Sequence, residues 1–109
     1  MDIKIAAGQR LMAGLPGTEL DPGFVSLVRE CKVGNVILFR RNVKSAAQLE
    51  RLCTSLRRLI VAETGFEPFI AIDQEGGVVS RFSPDMAITP GAMALAADGG
   101  DAPYRAARI

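Results

Sequence analysis

The feature that most limits the fold of this chain is a pair of short apolar runs separated by one long amphipathic segment. Residues 35–39 and 69–72 are dominated by apolar side chains without polar alternation, which is typical of strands buried on both faces. The segment between them has helical spacing, with a capping-box pattern at Ser45 and Gln48 and a stop at Gly65. Because parallel strands need a crossover of about a dozen residues, this order predicts right-handed βαβ units and an α/β fold with a parallel sheet.

The rest of the chain predicts shorter elements on either side of this unit. Before it we expect a polar helix over residues 2–10, a strand near Leu11–Ala13, a loop over Gly14–Gly17, and a helix that Asp21 and Pro22 open and Gly34 ends. After it we expect a helix over Ala92–Ala97, a break at Gly99 and Gly100, and a new helix from Asp101 that has barely begun at Ile109. A helix cut so early is marginal without packing partners, so we expect residues 1–109 to be an incomplete N-terminal portion of a longer domain.

Composition and charge exclude several classes of function. The chain has 109 residues, with 13 Lys and Arg against 12 Asp and Glu, so a basic surface for nucleic acid or an anionic membrane is not expected. Histidine is absent, which excludes a Ser-His-Asp triad and any zinc site with a histidine ligand within these residues. The Gly14–Gly17 loop lacks the ending of a phosphate-binding P-loop, and Arg57-Arg58 is too short a basic run for nucleic acid. We predict no cofactor and no metal.

The cysteines and the apolar runs indicate the compartment. Cys31 and Cys53 lie in apolar helical patterns, and their spacing fits no metal motif, so we expect two small buried side chains in a reducing environment. Residues 1–15 carry several charged and polar side chains, which argues against a signal-peptide core. The longest apolar runs are far below the ~20 residues that span a bilayer. We therefore expect a cytoplasmic protein with no membrane partner.

The strongest candidate for chemistry is the segment Asp73-Gln74-Glu75-Gly76-Gly77, which follows the third strand, together with Arg81. In parallel α/β folds, ligands bind at the carboxyl ends of the strands. A carboxylate there can accept hydrogen bonds from vicinal hydroxyls, and a guanidinium can donate to sugar oxygens. From the pattern alone, a sugar-binding pair and a tight turn whose acids cap local N–H groups are equally good interpretations.

The order and spacing of several motifs resemble the N-terminal signature of family-three glycoside hydrolases, and in particular their bacterial β-N-acetylhexosaminidase branch. The matching stretches are Gly8-Gln9, Met12, Gly14, residues 17–20, residues 33–39, Arg41-Asn42, Gln48-Leu49, residues 71–77 with Val79, Arg81 and Phe82, and residues 90–95. The resemblance covers nearly the whole chain. It departs from the family at Val78, where an Arg usually follows the glycine pair.

This resemblance implies the first three or so βα units of a (β/α)₈ barrel, whose full length is about 250 residues. It also implies that Asp73 and Arg81 bind hydroxyls of the non-reducing sugar. The family hydrolyses glycosides with retention through an Asp nucleophile, and this branch takes its acid/base from a His; by the resemblance, neither catalytic residue lies in this chain. Arg41 and Asn42, which end the second strand, could support the same site, although a solvated loop that caps the next helix is the more economical interpretation.

Three functions stay open at this point. The leading one is hydrolysis, by the parent protein, of terminal β-linked N-acetylglucosamine from cell-wall-derived or related saccharides. The alternatives are a β-glucosidase of the same family and a catalytically silent fragment. Because three parallel strands leave two open edges, we also expect low stability or self-association of the isolated chain.

Overall fold

The computed structural model describes residues 2–108; Met1 and Ile109 lie outside this range. Helices and strands alternate along most of it, in the order α1 (Ile3–Gly8), β1 (Met12–Ala13), α2 (Pro22–Cys31), β2 (Asn35–Leu38), a 3₁₀ turn (Arg40–Asn42), α3 (Ala46–Thr64), β3 (Ile70–Ile72), α4 (Ala92–Asp98) and α5 (Ala102–Ala106). The predicted α/β class is confirmed. The observed elements are mostly one to three residues shorter than predicted, as is usual for element ends.

The sheet has the order β1-β2-β3, and both strand pairs are parallel. Leu38 at the end of β2 lies opposite Ile72 at the end of β3, so the chain leaves these two strands at the same edge of the sheet. The central strand β2 is buried as predicted, but β3 is only half-buried and Phe69 before it is 77% exposed. The prediction that β3 is covered on both faces is wrong because β3 is an edge strand in this chain.

The hydrophobic core lies between the sheet and the two longer helices. On α3, the predicted apolar face is confirmed, since Leu52, Leu56 and Ile60 are at most 3% exposed. They pack with Leu15, Phe24, Val28, Val36 and Leu38 in one cluster. Ser45 Oγ accepts a hydrogen bond from the Gln48 N–H at the start of α3, and Gly65 ends the helix with φ of 78°. This helix therefore provides a rigid backing for the sheet.

Helix α2 begins as predicted but ends earlier. The Asp21 carboxylate accepts from the N–H groups of Gly23 and Phe24, and Pro22 is the first helical residue. The helix ends at Cys31, with Lys32 in the left-handed region at φ of 53°, so the predicted stop at Gly34 is wrong. A Cβ on Gly34 would lie 2.4 Å from Gln9 Nε2. The glycine thus makes room for a packed side chain.

The expectation of two buried cysteines is also wrong for one of them. Cys31 is exposed because it occupies the last helical position, past the stretch of α2 whose buried contacts are Phe24 and Val28. Cys53 is half-buried against the core, and this burial raises the pKa of its thiol. Both are free thiols.

A buried asparagine joins three segments at the amino end of the sheet. Asn35 Nδ2 donates to the carbonyls of Gln9 and Leu11 at 2.8 and 3.2 Å, and its Oδ1 accepts from the Phe69 N–H at 3.0 Å. One side chain thereby satisfies backbone groups that enter both edge strands, which lowers the cost of burying them.

The C-terminal helices α4 and α5 contribute no residue to the main core cluster, although Ala102 of α5 is itself buried. No residue of α4 is buried, and Gly99 and Gly100 adopt φ of 73° and 56° at the predicted break before α5. Within residues 2–108, no helix is long and apolar enough to cross a membrane.

Candidate functional site

The candidate site begins where β3 ends. Asp73 is the residue directly after this strand, and Arg81 returns to it along a short loop. Arg81 Nε donates to Asp73 Oδ1 at 3.0 Å, and Arg81 Nη2 donates to Oδ2 at 2.9 Å. This is the two-point geometry in which guanidinium and carboxylate bind most strongly. The structure therefore brings together the two residues that the sequence singled out.

Gln74 fixes the backbone of Arg81. Its Oε1 accepts from the Arg81 N–H at 2.7 Å, while its Nε2 donates to Ser80 Oγ at 3.1 Å. Both hydrogen bonds of the Gln74 side chain are therefore local, to residues of the same loop. The hydrogen bond from the Arg81 N–H fixes the backbone position of Arg81, so Gln74 helps to hold the Arg81 side chain in place against Asp73.

Two glycines allow the loop after β3 to pack closely against Thr89 and Pro90, which follow it in the chain. Gly76 and Gly77 have φ of 77° and 58°, which L side chains rarely adopt. A Cβ on Gly76 would lie 2.7 Å from the carbonyl oxygens of Thr89 and Pro90, and the Gly77 N–H donates to Thr89 O at 2.9 Å. Glycine is required at position 76 both for its backbone angle and for this close approach.

The end of β2 is organised differently from the expected solvated loop. Asn42 is fully buried: its Nδ2 donates to the carbonyls of Leu15 and Gly17 at 3.0 and 2.7 Å, and its Oδ1 accepts from the Phe39 N–H at 2.8 Å. The solvated interpretation is therefore wrong for Asn42. A short polar residue after a strand gave no signal that it would be enclosed by the loop that follows β1.

Arg41, by contrast, is exposed, yet it is ordered by two contacts. Its Nε donates to Leu15 O at 3.1 Å, and its guanidinium carbon lies 4.7 Å from the centre of the Phe39 ring. Both contacts lie at the carboxyl edge of the sheet, on the β1 and β2 side. Neither joins Arg41 to the Asp73–Arg81 pair.

The electrostatics of the pair are dominated by the contact between its two members. Hydrogen bonding to Asp73, with smaller contributions from the charges of Asp73 and Glu75, raises the pKa of the Arg81 guanidinium, which therefore faces the Asp73 carboxylate as a cation. Their charges cancel locally. The Arg81 and Asp73 side chains are 30% and 40% exposed, which leaves lone pairs and N–H groups accessible from solvent.

The surroundings of the pair are open. A groove of about 360 Å³ lies beside α3, against the loop before α2, and a second groove lies further along α3; neither is lined by Asp73 or Arg81. Val78, at the loop tip, is fully exposed. Among the described residues, no group of three or more Cys, Asp or Glu side chains is placed to hold a metal ion.

The chain is a parallel α/β sheet with an acid–guanidinium pair at its carboxyl edge, which is the edge where parallel α/β folds bind their ligands. Residues 13–104 match the model of the glycosyl hydrolase family 3 N-terminal domain. The chain belongs to this family, which confirms the resemblance in the sequence.

Two curated relatives of the chain are both named β-hexosaminidase. The chain is 40% identical over 87 residues to a β-hexosaminidase of Alkalilimnicola ehrlichii, a match that covers 80% of this chain and 24% of the relative. It is 35% identical over 99 residues to a β-hexosaminidase of Thiobacillus denitrificans, covering 91% of this chain and 26% of the relative. The chain therefore spans about a quarter of the length of these relatives.

Two solved structures resemble this chain in fold. A glycoside hydrolase family 3 β-N-acetylglucosaminidase from a Paenibacillus strain superposes with a TM-score of 0.89 at 40% identity, covering 100% of this chain and 21% of that one. Native NagZ from Neisseria gonorrhoeae gives a TM-score of 0.67 at 30% identity, covering 87% of this chain and 28% of that one. These matches support the assignment of the three strands to the family's barrel-like domain.

Proposed function

We propose that the protein to which this chain belongs hydrolyses terminal β-linked N-acetylglucosamine, and that Asp73 and Arg81 bind hydroxyls of that sugar. The names of the relatives support the substrate class. The observation that carries the residue assignment is the two-point contact between Asp73 and Arg81 at the carboxyl end of β3.

The geometry explains how the pair would bind a sugar. Arg81 uses one hydrogen of Nε and one of Nη2 on Asp73, and a guanidinium has five N–H donors, so further donors can reach sugar oxygens. Each Asp73 oxygen keeps a lone pair for a hydroxyl donor. Because Arg81 holds the carboxylate on one side, two neighbouring hydroxyls would meet it in a fixed orientation, as pre-organised binding requires.

In this proposal the chain supplies residues that bind the sugar but not the residues that cleave the glycosidic bond. Retaining hydrolysis needs a nucleophile and an acid/base. The family resemblance assigns these to an Asp and a His that this chain does not hold, and the 109 residues contain no His at all. We therefore expect the isolated chain to show no turnover of a chromogenic N-acetylglucosaminide. A cytoplasmic role in recycling cell-wall saccharides is part of the same proposal.

The decisive test uses a full-length enzyme that carries this chain. Asp73→Ala should lower kcat/KM for an aryl N-acetylglucosaminide by about 10²-fold or more, because misplacing the sugar costs at least that much. Asp98→Ala, which removes an exposed carboxylate from α4, is the matched control and should leave kcat/KM unchanged. Near-normal activity of the Asp73→Ala enzyme would refute the site. An enzyme that prefers the aryl glucoside to the N-acetylglucosaminide would instead favour the β-glucosidase alternative.

A further inference from the structure

Asp85 connects two distant parts of the chain. Its Oδ2 accepts a hydrogen bond from the N–H of Ala46 at 2.9 Å, across 39 residues of sequence, and its Oδ1 accepts from Ser83 Oγ. Ala46 is the first residue of α3. The carboxylate therefore lies at the N-terminal end of this helix, where unsatisfied N–H groups and the helix dipole favour a negative charge.

The segment that carries Asp85 follows Arg81 closely. Ser83, two residues after Arg81, is only 3% exposed, and its carbonyl accepts from the Met86 N–H at 3.0 Å to close a turn. The turn presents the Asp85 carboxylate to α3 while its own Ser83 hydroxyl holds the second oxygen. Hydrogen bonds from Ser83 and Ala46 lower the pKa of Asp85, so the contact is made by the ionised group.

Gln74 and Thr89 form hydrogen bonds with the loop, but it is Asp85 that bonds to helix α3. The Asp73–Arg81 pair is part-exposed, and α4 beyond the loop has no buried residue. Helix α3, in contrast, is anchored in the core through Leu52 and Leu56. A bond from α3 to a residue four positions after Arg81 transfers that rigidity to the loop.

We infer that Asp85 is a positioning residue for the sugar-binding pair: its bond to the start of α3 holds the loop so that Arg81 stays aligned on Asp73. The inference rests on the proposed function for its effect on sugar binding, but the alignment itself is a property of the free chain. An untethered loop would spend only part of its time in the aligned state, and apparent affinity falls by that fraction.

The competing explanation is that Asp85 merely caps α3. The chain offers a matched control for this, because Ser45 caps the same helix by accepting from the Gln48 N–H, and among the described residues its side chain has no hydrogen bond to the loop. Loss of either cap should weaken α3 to a similar degree. Only the loss of Asp85 should release Arg81.

The test measures hydrogen exchange of the Arg81 Nε–H by NMR in the full-length enzyme that carries this chain, with the amide of Leu56 as a core reference in the same sample. Asp85→Ala should speed Arg81 Nε–H exchange about tenfold relative to Leu56, as expected for loss of hydrogen bonds to a charged group. Ser45→Ala should leave that ratio unchanged. Asp85→Asn keeps an acceptor for Ala46 and a donor for Ser83, so it should retain most of the protection.

The inference is overturned if Asp85→Ala and Ser45→Ala change the ratio equally, or if Arg81 and Leu56 accelerate together, since either result means global loosening. Equal loss of protection in Asp85→Asn and Asp85→Ala would also count against it. Titration with N-acetylglucosamine then separates the two proposals. A weaker Kd in Asp85→Ala supports both, whereas absence of binding to the full-length enzyme would refute the sugar site and leave the exchange result to decide the tether.

Discussion

Replacing Asn42 by Ala should be one of the most damaging polar substitutions in this chain. The side chain is fully buried and makes three hydrogen bonds to backbone groups of Phe39, Leu15 and Gly17. It thereby joins the loop after β1 to the turn after β2. Truncation removes all three contacts and leaves a space in a region without solvent.

The size of the destabilisation by Asn42→Ala depends on which hydrogen-bond partners of Asn42 are left unsatisfied. Leu15 O keeps a second donor, Arg41 Nε at 3.1 Å, whereas the Phe39 N–H and the Gly17 carbonyl lose the Asn42 contact. A buried group left unsatisfied costs about 1–3 kcal/mol, so two such groups predict a loss of about 2–6 kcal/mol in the free energy of unfolding, and the half-buried positions of Phe39 and Gly17 place the expected value at the lower end of that range. Asn42→Asp should cost at least as much at neutral pH, because a carboxylate would face two carbonyl oxygens.

Urea denaturation followed by circular dichroism measures these changes, provided that the m value stays constant. Arg41→Ala is the matched control: it removes an exposed neighbour and should cost no more than about 1 kcal/mol. For Asn42→Asp, the folded-state pKa of the new carboxyl should be raised, so the destabilisation should shrink as the pH falls. If Asn42→Ala cost no more than Arg41→Ala, the reasoning about buried hydrogen bonds at this edge would be wrong.

Three further predictions concern the loop, the helix pair and the sheet edges. Gly76→Ala should destabilise the chain by about 1–2 kcal/mol from its backbone angle alone, plus the clash with Thr89 O, while Gly17→Ala, which meets no atom within 4 Å, should not. The hydrogen bond from Lys32, with a smaller contribution from Arg29, lowers the pKa of Glu63. The stability that this interaction contributes is present at pH values above the normal carboxyl pKa and is lost as the pH falls through the lowered pKa. The Tm of Glu63→Gln should therefore depend less on pH in the acid range. Sedimentation of the isolated chain should reveal self-association, because β1 and β3 each leave an outer edge; a monomer with a sharp, reversible thermal transition would contradict this.

The parts of the fold that could be predicted from the sequence are those that local periodicity determines. The buried face of α3 follows from the spacing of Leu52, Leu56 and Ile60, and the strand β2 follows from an uninterrupted apolar run. The end of α2 was placed wrongly because Lys32, rather than a glycine, takes the left-handed position. Exposure of β3 also escaped prediction, since an apolar run does not say how many strands lie beyond it.

The residues of the candidate site also differ in how far the sequence predicts their contacts. Asp73 and Arg81 are eight residues apart on one loop, and the family resemblance singled them out as a pair, because from the pattern alone a tight turn was an equally good interpretation. Asn42 and Asp85 act across 27 and 39 residues, respectively, and their distant partners are backbone groups, which carry no residue-type signal. A short polar side chain looks the same in sequence whether it points to solvent or to a distant N–H.

This difference has a consequence for how the site tolerates change. The ion pair depends on the identities of Asp73 and Arg81, so substitution of either should abolish its geometry directly. The supports depend on where Asn42 and Asp85 place an oxygen or an amide, so a residue of similar shape and polarity can replace part of their contribution. If the site is held as described, Asp85→Asn should preserve sugar binding better than Asp85→Ala, whereas Asp73→Asn should lose the charge-assisted pairing and bind sugar weakly. Equal loss in Asp73→Asn and Asp85→Asn would mean that the loop, the helix and the ion pair form one indivisible unit, and that the separation of binding from positioning is false.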